Sequence, residues 1–265
     1  MCSKKITAVL LAVGVVASTS ALFSQINIKG ALADTIKQNV VYTKDDTQAV
    51  SQDNDKISSA DEKVYKEKSL DILKKYFNIS VEENENFKFS AEKMNEKTLD
   101  EEKPEERKET QDLYDKNEIS KEQYDKQMDN IDKNTEQVEK LKHGMIQAAW
   151  ADDNRCYIID FNENTKEVEF VFVSDENDFK QSDTKLKLSE DEFKNIAENF
   201  IKNNKIAGID NPKCILAKGW RAFYQDENDP NKKAEIGIDL STGKVVSFAI
   251  NSYADVDYNE VLNTK

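Results

Sequence analysis

The chain has 265 residues, of which 34% are charged and 38% hydrophobic, and its formal net charge is −14 at pH 7. This length suits one or two domains of ordinary size, and the modest apolar content confines the core to certain segments. An acidic surface repels nucleic acid and anionic lipid, so we expect neither as a partner; a basic protein or peptide segment remains compatible.

The first 33 residues have the features of a secretory signal peptide. Lys4 and Lys5 precede an uncharged run over residues 6–23, and Ala31-Leu32-Ala33 supplies small residues for a cleavage site before Asp34. A retained membrane anchor is the competing interpretation, but the run is short and rich in small residues. We expect a secreted or cell-envelope protein with a mature net charge of about −17, because cleavage removes lysines and no acid.

Residues 34–58 are polar and lack helical periodicity, which predicts a flexible leader. A helix is expected next, because Ser59-Ala-Asp-Glu62 matches a capping box and Leu70 and Leu73 recur at helical spacing. Alternating polarity at residues 87–91 then predicts a strand.

The segment from about residue 98 to residue 143 is highly charged and carries few apolar residues. A turn at Asn117, followed by Ser120 and Gln123 as a helix start, predicts a helical hairpin inserted into the first half of the fold. Its role is open between an interaction arm and a solvated spacer whose thin apolar stripe packs on the core.

The remainder of the chain alternates strand-like and helical patterns. Ser189-Glu-Asp-Glu192 is a capping box, and Phe193, Ile196 and Phe200 follow it at helical spacing. Strands are predicted at residues 145–151, 156–161, 168–173, 214–217, 220–224, 234–240 and 245–250.

The order of a capped helix, two strands and a hairpin occurs twice, which predicts a duplicated unit. The two hairpins align residue by residue, with Val168 opposite Val245 and Lys166 opposite Gly243. Glycine adopts a turn with positive φ at little cost, so we expect one at Gly243, whereas Lys166 would have to accept strain or form a different turn. In each unit the helix would cover one face of an antiparallel sheet, and the other face would meet water or the second unit. The expected boundaries are residues 59–175 for the first unit, 184–253 for the second and 254–265 for a tail.

The stretch Asp239-Leu-Ser-Thr-Gly-Lys-Val-Val246 resembles the end of a PepSY domain, in which a helix is followed by strands and a D-x-x-T-G-x-V hairpin. The resemblance covers roughly residues 189–252 and extends more faintly to residues 62–173, where Asn162 and Lys166 replace the Asp and Gly. It implies an α+β fold of two helix-plus-antiparallel-sheet units, with PepSY- or cystatin-like layers, in a bacterial envelope or secreted protein. It also implies a role in regulating or inhibiting a peptidase by holding a peptide segment, without catalytic residues.

Large aromatic residues are the candidate ligand-binding residues. Trp220, Phe223 and Tyr224 share one predicted strand, and Trp150 has a comparable place in the first half. They would form either a concave surface for a peptide or polymer, or part of the core. An exposed edge strand could also accept an extended peptide by strand addition.

Cys156 and Cys214 each begin a strand-like run. They could form a disulfide in an oxidising compartment, or remain buried thiols, since cysteine behaves as a small hydrophobe.

The residues offer no pattern for catalysis, a cofactor or a strong metal site. His143 is the single histidine, and no nucleophile motif or spaced ligand set accompanies it. Two polar loops, residues 160–164 and 226–231, have a superficial likeness to weak calcium loops.

We therefore expect a non-catalytic module that binds a protein or peptide segment. The acidic net charge of the chain favours a basic segment as its partner. The alternatives are a hydrolase with carboxylates in a cleft between the units, and a self-associating envelope scaffold that uses the helical arm. The oligomeric state stays open.

Overall fold

The computed structural model describes residues 57–152, 155–175 and 188–263. The predicted signal peptide and nearly all of the leader lie outside these ranges. The elements, in chain order, are α1 (Ser59–Phe77), β1 (Lys88–Met94), α2 (Glu96–Asp115), α3 (Lys121–Leu141), β2 (Met145–Ala151), β3 (Arg155–Asn162), β4 (Val168–Asp175), α4 (Glu190–Asn204), β5 (Pro212–Lys218), β6 (Arg221–Asp226), β7 (Lys233–Ile238), β8 (Val245–Ile250) and α5 (Asn251–Asn263). In the part of the chain that the structure describes, no helix has both the length and the apolar character needed to cross a membrane.

All eight strands form one antiparallel sheet in the order β1-β2-β3-β4-β8-β7-β6-β5. Each half of the sheet is a four-stranded meander preceded by a helix, α1 or α4, and the two halves meet where β4 pairs with β8. The predicted α+β class is confirmed. The sequence order of strands within each half also follows the tendency of neighbouring segments to pair.

Helices cover both faces of the sheet. On the first face, Tyr65 and Leu73 of α1 and Ala197 and Ile201 of α4 pack on a buried cluster that spans both halves. On the second face, the α2–α3 hairpin and α5 enclose a separate cluster. The expectation that this second face meets water or the other unit is therefore wrong. The two halves lie side by side in one sheet, so the inserted hairpin and the C-terminal helix have to bury that face.

Helix starts follow the local signals closely. Ser120 with Gln123, and Ser189 with Glu192, form reciprocal capping boxes at α3 and α4. At α1 the cap lies one residue earlier than expected, because Ser58 accepts the hydrogen bond from the Asp61 amide. These side chains satisfy amide groups that would otherwise lack partners.

The two aligned hairpin turns share the same backbone pattern. Lys166 has a φ of 61° and Gly243 has a φ of 71°, so both occupy the left-handed region, and of the two alternatives for Lys166 the strained turn is the one observed. The amide of each donates to the carbonyl at the turn's start, Asn162 or Asp239, at 2.9 and 2.7 Å respectively. Only the glycine does so without steric cost from a Cβ.

Residues 254–265, which are predicted from the sequence to be a tail, are helical as far as Asn263. It belongs to α5, which starts at Asn251, immediately after β8. Asn251 has a φ of 50°, and this left-handed residue turns the chain back over the second face of the sheet.

Candidate functional site

A cavity of about 410 Å³ lies on the first face of the sheet, where the two halves meet; we call it the junction cavity. Its volume falls within the range of small-ligand pockets. Residues from α1, α4, β3, β4, β8 and the β7–β8 turn line it: Tyr76, Phe77, Ile79, Tyr157, Val173, Ser174, Asp175, Phe200, Asp239, Thr242, Lys244, Val245 and Val246. Both halves of the chain are therefore needed to form it.

One wall of the junction cavity is aromatic. The ring of Phe77 stacks on that of Phe248 with centroids 6.1 Å apart and an interplanar angle of 8°, and Tyr76 meets the same ring edge-on at 5.0 Å. Phe200 of α4 lies 6.0 Å from Phe248. Because Phe248 is buried in the sheet, it holds all three rings in place from below.

The polar side of the cavity is built by the β7–β8 turn. Asp239 accepts hydrogen bonds from the Ser241 amide at 2.8 Å and from the Thr242 hydroxyl at 2.7 Å. Its carboxylate is therefore fixed by the turn itself. Lys244 and Asp175 complete the charged lining, so acids outnumber bases there by two to one.

The sheet edges are less suited to binding. β1 and β5 are the edge strands, and lysines occur on both, at Lys88, Lys93, Lys213 and Lys218. β5 also starts with Pro212 and has a register shift between Cys214 and Leu216. Lysine, proline and bulges are features by which edge strands avoid pairing with other chains. Strand addition is accordingly the weaker of the two binding modes.

The four aromatic residues singled out from the sequence are buried and lie on opposite faces. Trp150 and Tyr224 belong to the first-face cluster, where Trp150 donates to Ser69 at 2.8 Å and Tyr224 donates to the Lys194 carbonyl at 3.1 Å. Trp220 belongs to the second-face cluster, and Phe223 meets Tyr258 of α5 edge-on at 5.5 Å. All four are at most 8% exposed. They pack as core, the alternative that the sequence left open, and form no common surface.

Cys156 and Cys214 are both free thiols, so the disulfide considered from the sequence is not formed. The residues lie on β3 and β5, which are five strand positions apart, or about 24 Å at the usual strand spacing. That separation is far beyond disulfide reach. Burial raises the pKa of Cys156 to about 12, which keeps this thiol protonated.

The candidate calcium loops serve as turns. Asn162 accepts from the amides of Asn164 and Thr165, and the Asp226 carboxylate accepts from four backbone amides, those of residues 210, 211, 228 and 229. These hydrogen bonds from backbone amides lower the pKa of Asp226 to about 2. Within the described ranges, no cluster of His, Cys, Asp or Glu has the composition of a metal site.

Two acids with raised pKa values lie outside the junction cavity, Asp160 on β3 beneath α5 and Asp257 on α5 itself. Burial raises the pKa of Asp160 to about 7 and raises that of Asp257 well above its usual range. The hydrolase alternative needs such acids in an open cleft between the halves. Asp160 faces α5 on the other side of the sheet and Asp257 belongs to α5, so that arrangement is not the one observed.

None of the residues that line the junction cavity was singled out as a site from the sequence, and the aromatic residues Tyr76, Phe77 and Phe200 show why. In sequence they look like ordinary members of the apolar stripes of α1 and α4. Only the pairing of β4 with β8 brings the ends of the two helices together, so no local signal distinguishes these rings from core residues.

The chain matches no family model and no curated protein. Among solved structures it is similar to the Bacillus megaterium YpeB C-terminal domain, with 11% sequence identity and a TM-score of 0.35. The similarity covers 75% of this chain and 65% of that domain, so the chain spans less than two thirds of the matched structure. A similarity of this extent bears on fold alone and carries no information about function.

Proposed function

We propose that this chain is an exported, non-catalytic protein-binding module, built from two PepSY-like units, that holds an extended protein segment in the junction cavity. The observation that supports it is the cavity itself: about 410 Å³ at the meeting of the two halves, with an aromatic wall set against a turn of fixed geometry. Rigid aromatic walls with a few placed polar groups are typical of binding sites.

The chemistry of the lining favours one kind of segment. An apolar or aromatic side chain would enter between Tyr76 and Val246, and a basic neighbour would lie close to Asp175 and Asp239. The net charge of the chain, −14, adds a long-range attraction for such a segment. The PepSY resemblance adds the hypothesis that the segment belongs to a peptidase or its pro-region.

The test is a selection of random peptides against the chain that starts at Asp34, followed by affinity measurements on matched variants. Val246→Lys places a cation in the cavity, whereas Val64→Lys makes the same change at an exposed position of α1 that does not line it. We expect the selected peptides to bind Val246→Lys at least about tenfold more weakly than the wild type, and Val64→Lys within about twofold.

Circular dichroism of both variants controls for folding. Failure to enrich any peptide, or equal affinity of the enriched peptides for Val246→Lys and the wild type, contradicts the proposal. So does direct binding of cell-wall polymer together with no recovery of protein from envelope extracts.

A further inference from the structure

The C-terminal helix α5 is held by tertiary contacts and has little helical stability of its own. It has 13 residues, and helices of that length are marginal in water when isolated. Tyr253 stacks on Phe170 with centroids 4.9 Å apart, and Tyr258 packs on Phe223. Tyr253, Ala254 and Val261 are the buried apolar residues of α5. Its presence on the sheet therefore depends on what lies directly beneath it.

Buried beneath α5 is a layer with more acids than bases. Arg221 of β6 lies 3.5 Å from Glu235 of β7 and 3.9 Å from Asp257 of α5, and the side chains of all three are at most 14% exposed. Asp160 of β3 is a third buried acid, 1% exposed, in contact with Tyr253 of α5. One guanidinium cannot neutralise three carboxylates, and an uncompensated charge is expensive in such a place.

The hydrogen-bond donors that contact Asp160 are neutral groups. The Gln147 side chain donates to it at 3.1 Å and the Tyr253 hydroxyl donates at 3.2 Å. Glu169 lies near enough to disfavour its ionised form, and Glu169 in turn faces His143, whose Nε2 is 3.2 Å from the Glu169 carboxylate. The two hydrogen bonds to Asp160 favour its ionised form, but the loss of hydration on burial outweighs them, so the protonated form is favoured in the docked state.

The contacts at the margins of α5 have a different character. Lys233 pairs with Asp255 at 2.5 Å, and Lys218 donates to the Val261 carbonyl at 3.1 Å. Asp255 is 42% exposed in its side chain, so this pair is solvated and of modest strength. These contacts help to keep α5 near the sheet.

We infer that α5 is a proton-linked strap: it stays docked while the carboxyl groups between it and the sheet hold protons, and it detaches when they ionise, which uncovers Trp220 and Phe223. Detachment would expose an aromatic surface on the second face of the sheet, in addition to the junction cavity on the first. The inference does not depend on what the junction cavity binds.

The direction of the pH effect follows from linkage. Burial raises the pKa of Asp160 to about 7, and burial together with Glu235 raises the pKa of Asp257, against the opposing effect of Arg221. An acid whose pKa is raised on docking holds a proton that the undocked state releases. Docking is therefore strongest at acidic pH, and it weakens as the pH rises from about 4 towards 7 and above.

The test is hydrogen–deuterium exchange of the α5 amides in the chain that starts at Asp34, corrected for the intrinsic pH dependence of exchange. We expect their protection to fall about a hundredfold between about pH 5 and about pH 7.5, while the amides of α4 keep theirs. Asp160→Asn and Asp257→Asn together mimic the protonated acids and should reduce this fall to less than about tenfold. Asp255→Asn is the matched control on the same helix: it weakens a solvated ion pair, so any loss of protection should be similar at every pH, and the fall between about pH 5 and about pH 7.5 should match that of the wild type.

Three results would overturn the inference. One is α5 protection that does not change with pH in the wild type. Another is an unchanged pH dependence in the double variant or in each single variant. The third is a parallel loss of protection in α4 and α5, which would indicate global unfolding.

Discussion

Val171 pairs directly with Phe248 at the centre of the sheet, and the hairpin alignment that equates Val168 with Val245 also equates these two residues. The same alignment equates Phe170 with Ser247 and Phe172 with Ala249. It therefore converts the neighbouring pair Phe170–Ala249 into the pair Phe172–Ser247. Such a register is what a two-fold axis between the halves would produce. It supports the prediction of a duplicated unit and explains why the junction cavity takes its walls from both halves.

The two aligned turns provide a test of backbone strain. Gly243→Ala should lower the free energy of unfolding by about 1 kcal/mol, because a Cβ disfavours the φ of 71°. Lys166→Ala should change it by less than about 0.5 kcal/mol, since the lysine already has a Cβ at a φ of 61°. Urea unfolding of both variants measures the difference. Equal losses in the two variants would show that the added Cβ at position 243 is not the cause of the destabilisation.

The hydrogen bond from Trp150 to Ser69 links the sheet to α1 within the core. Ser69 is 0% exposed and Trp150 is 1% exposed, so Ser69→Ala leaves the indole N–H without its partner. We expect a loss of about 1–3 kcal/mol in the free energy of unfolding. In a Trp150→Phe background, where the donor is absent, the same change should cost less than about 1 kcal/mol. Similar costs in the two backgrounds would rule out this hydrogen bond as the cause.

Glu106 of α2 should make the stability of the protein depend on pH. Burial raises its pKa from 4.5 to about 7, with Glu102 and Glu109 adding to the effect and Lys103 opposing it. The folded state therefore favours the neutral acid, and stability falls as the pH rises from about 4.5 to 7. Glu106→Gln should stabilise the protein by about 1–2 kcal/mol at about pH 8 and change it little at about pH 4.

Urea unfolding at the two pH values checks this expectation. Glu105→Gln is the control, because Glu105 is exposed on the same helix. A gain for Glu106→Gln that is the same at both pH values would mean that packing, and not titration, is responsible.

Local signals were sufficient to predict most elements. The capping boxes at Ser120 and Ser189, the alternating strands and the left-handed turn at Gly243 were all predictable, because each depends on interactions among residues a few positions apart. The α+β class followed from their order. The signal peptide and the export that it implies stay predictions, since residues 1–33 lie outside the described ranges.

Only the tertiary structure decided which distant strands pair and which helices pack on each face of the sheet. The β4–β8 contact assembles the junction cavity from α1, α4 and the β7–β8 turn. The docking of α5 packs Tyr258 on Phe223 and completes the buried cluster that contains Trp220, two residues that in sequence could also have lined a surface. The same strand order separates Cys156 from Cys214. An alternating pattern specifies that a strand has a buried face, but not which helix covers it, because that choice depends on packing between segments far apart in the chain.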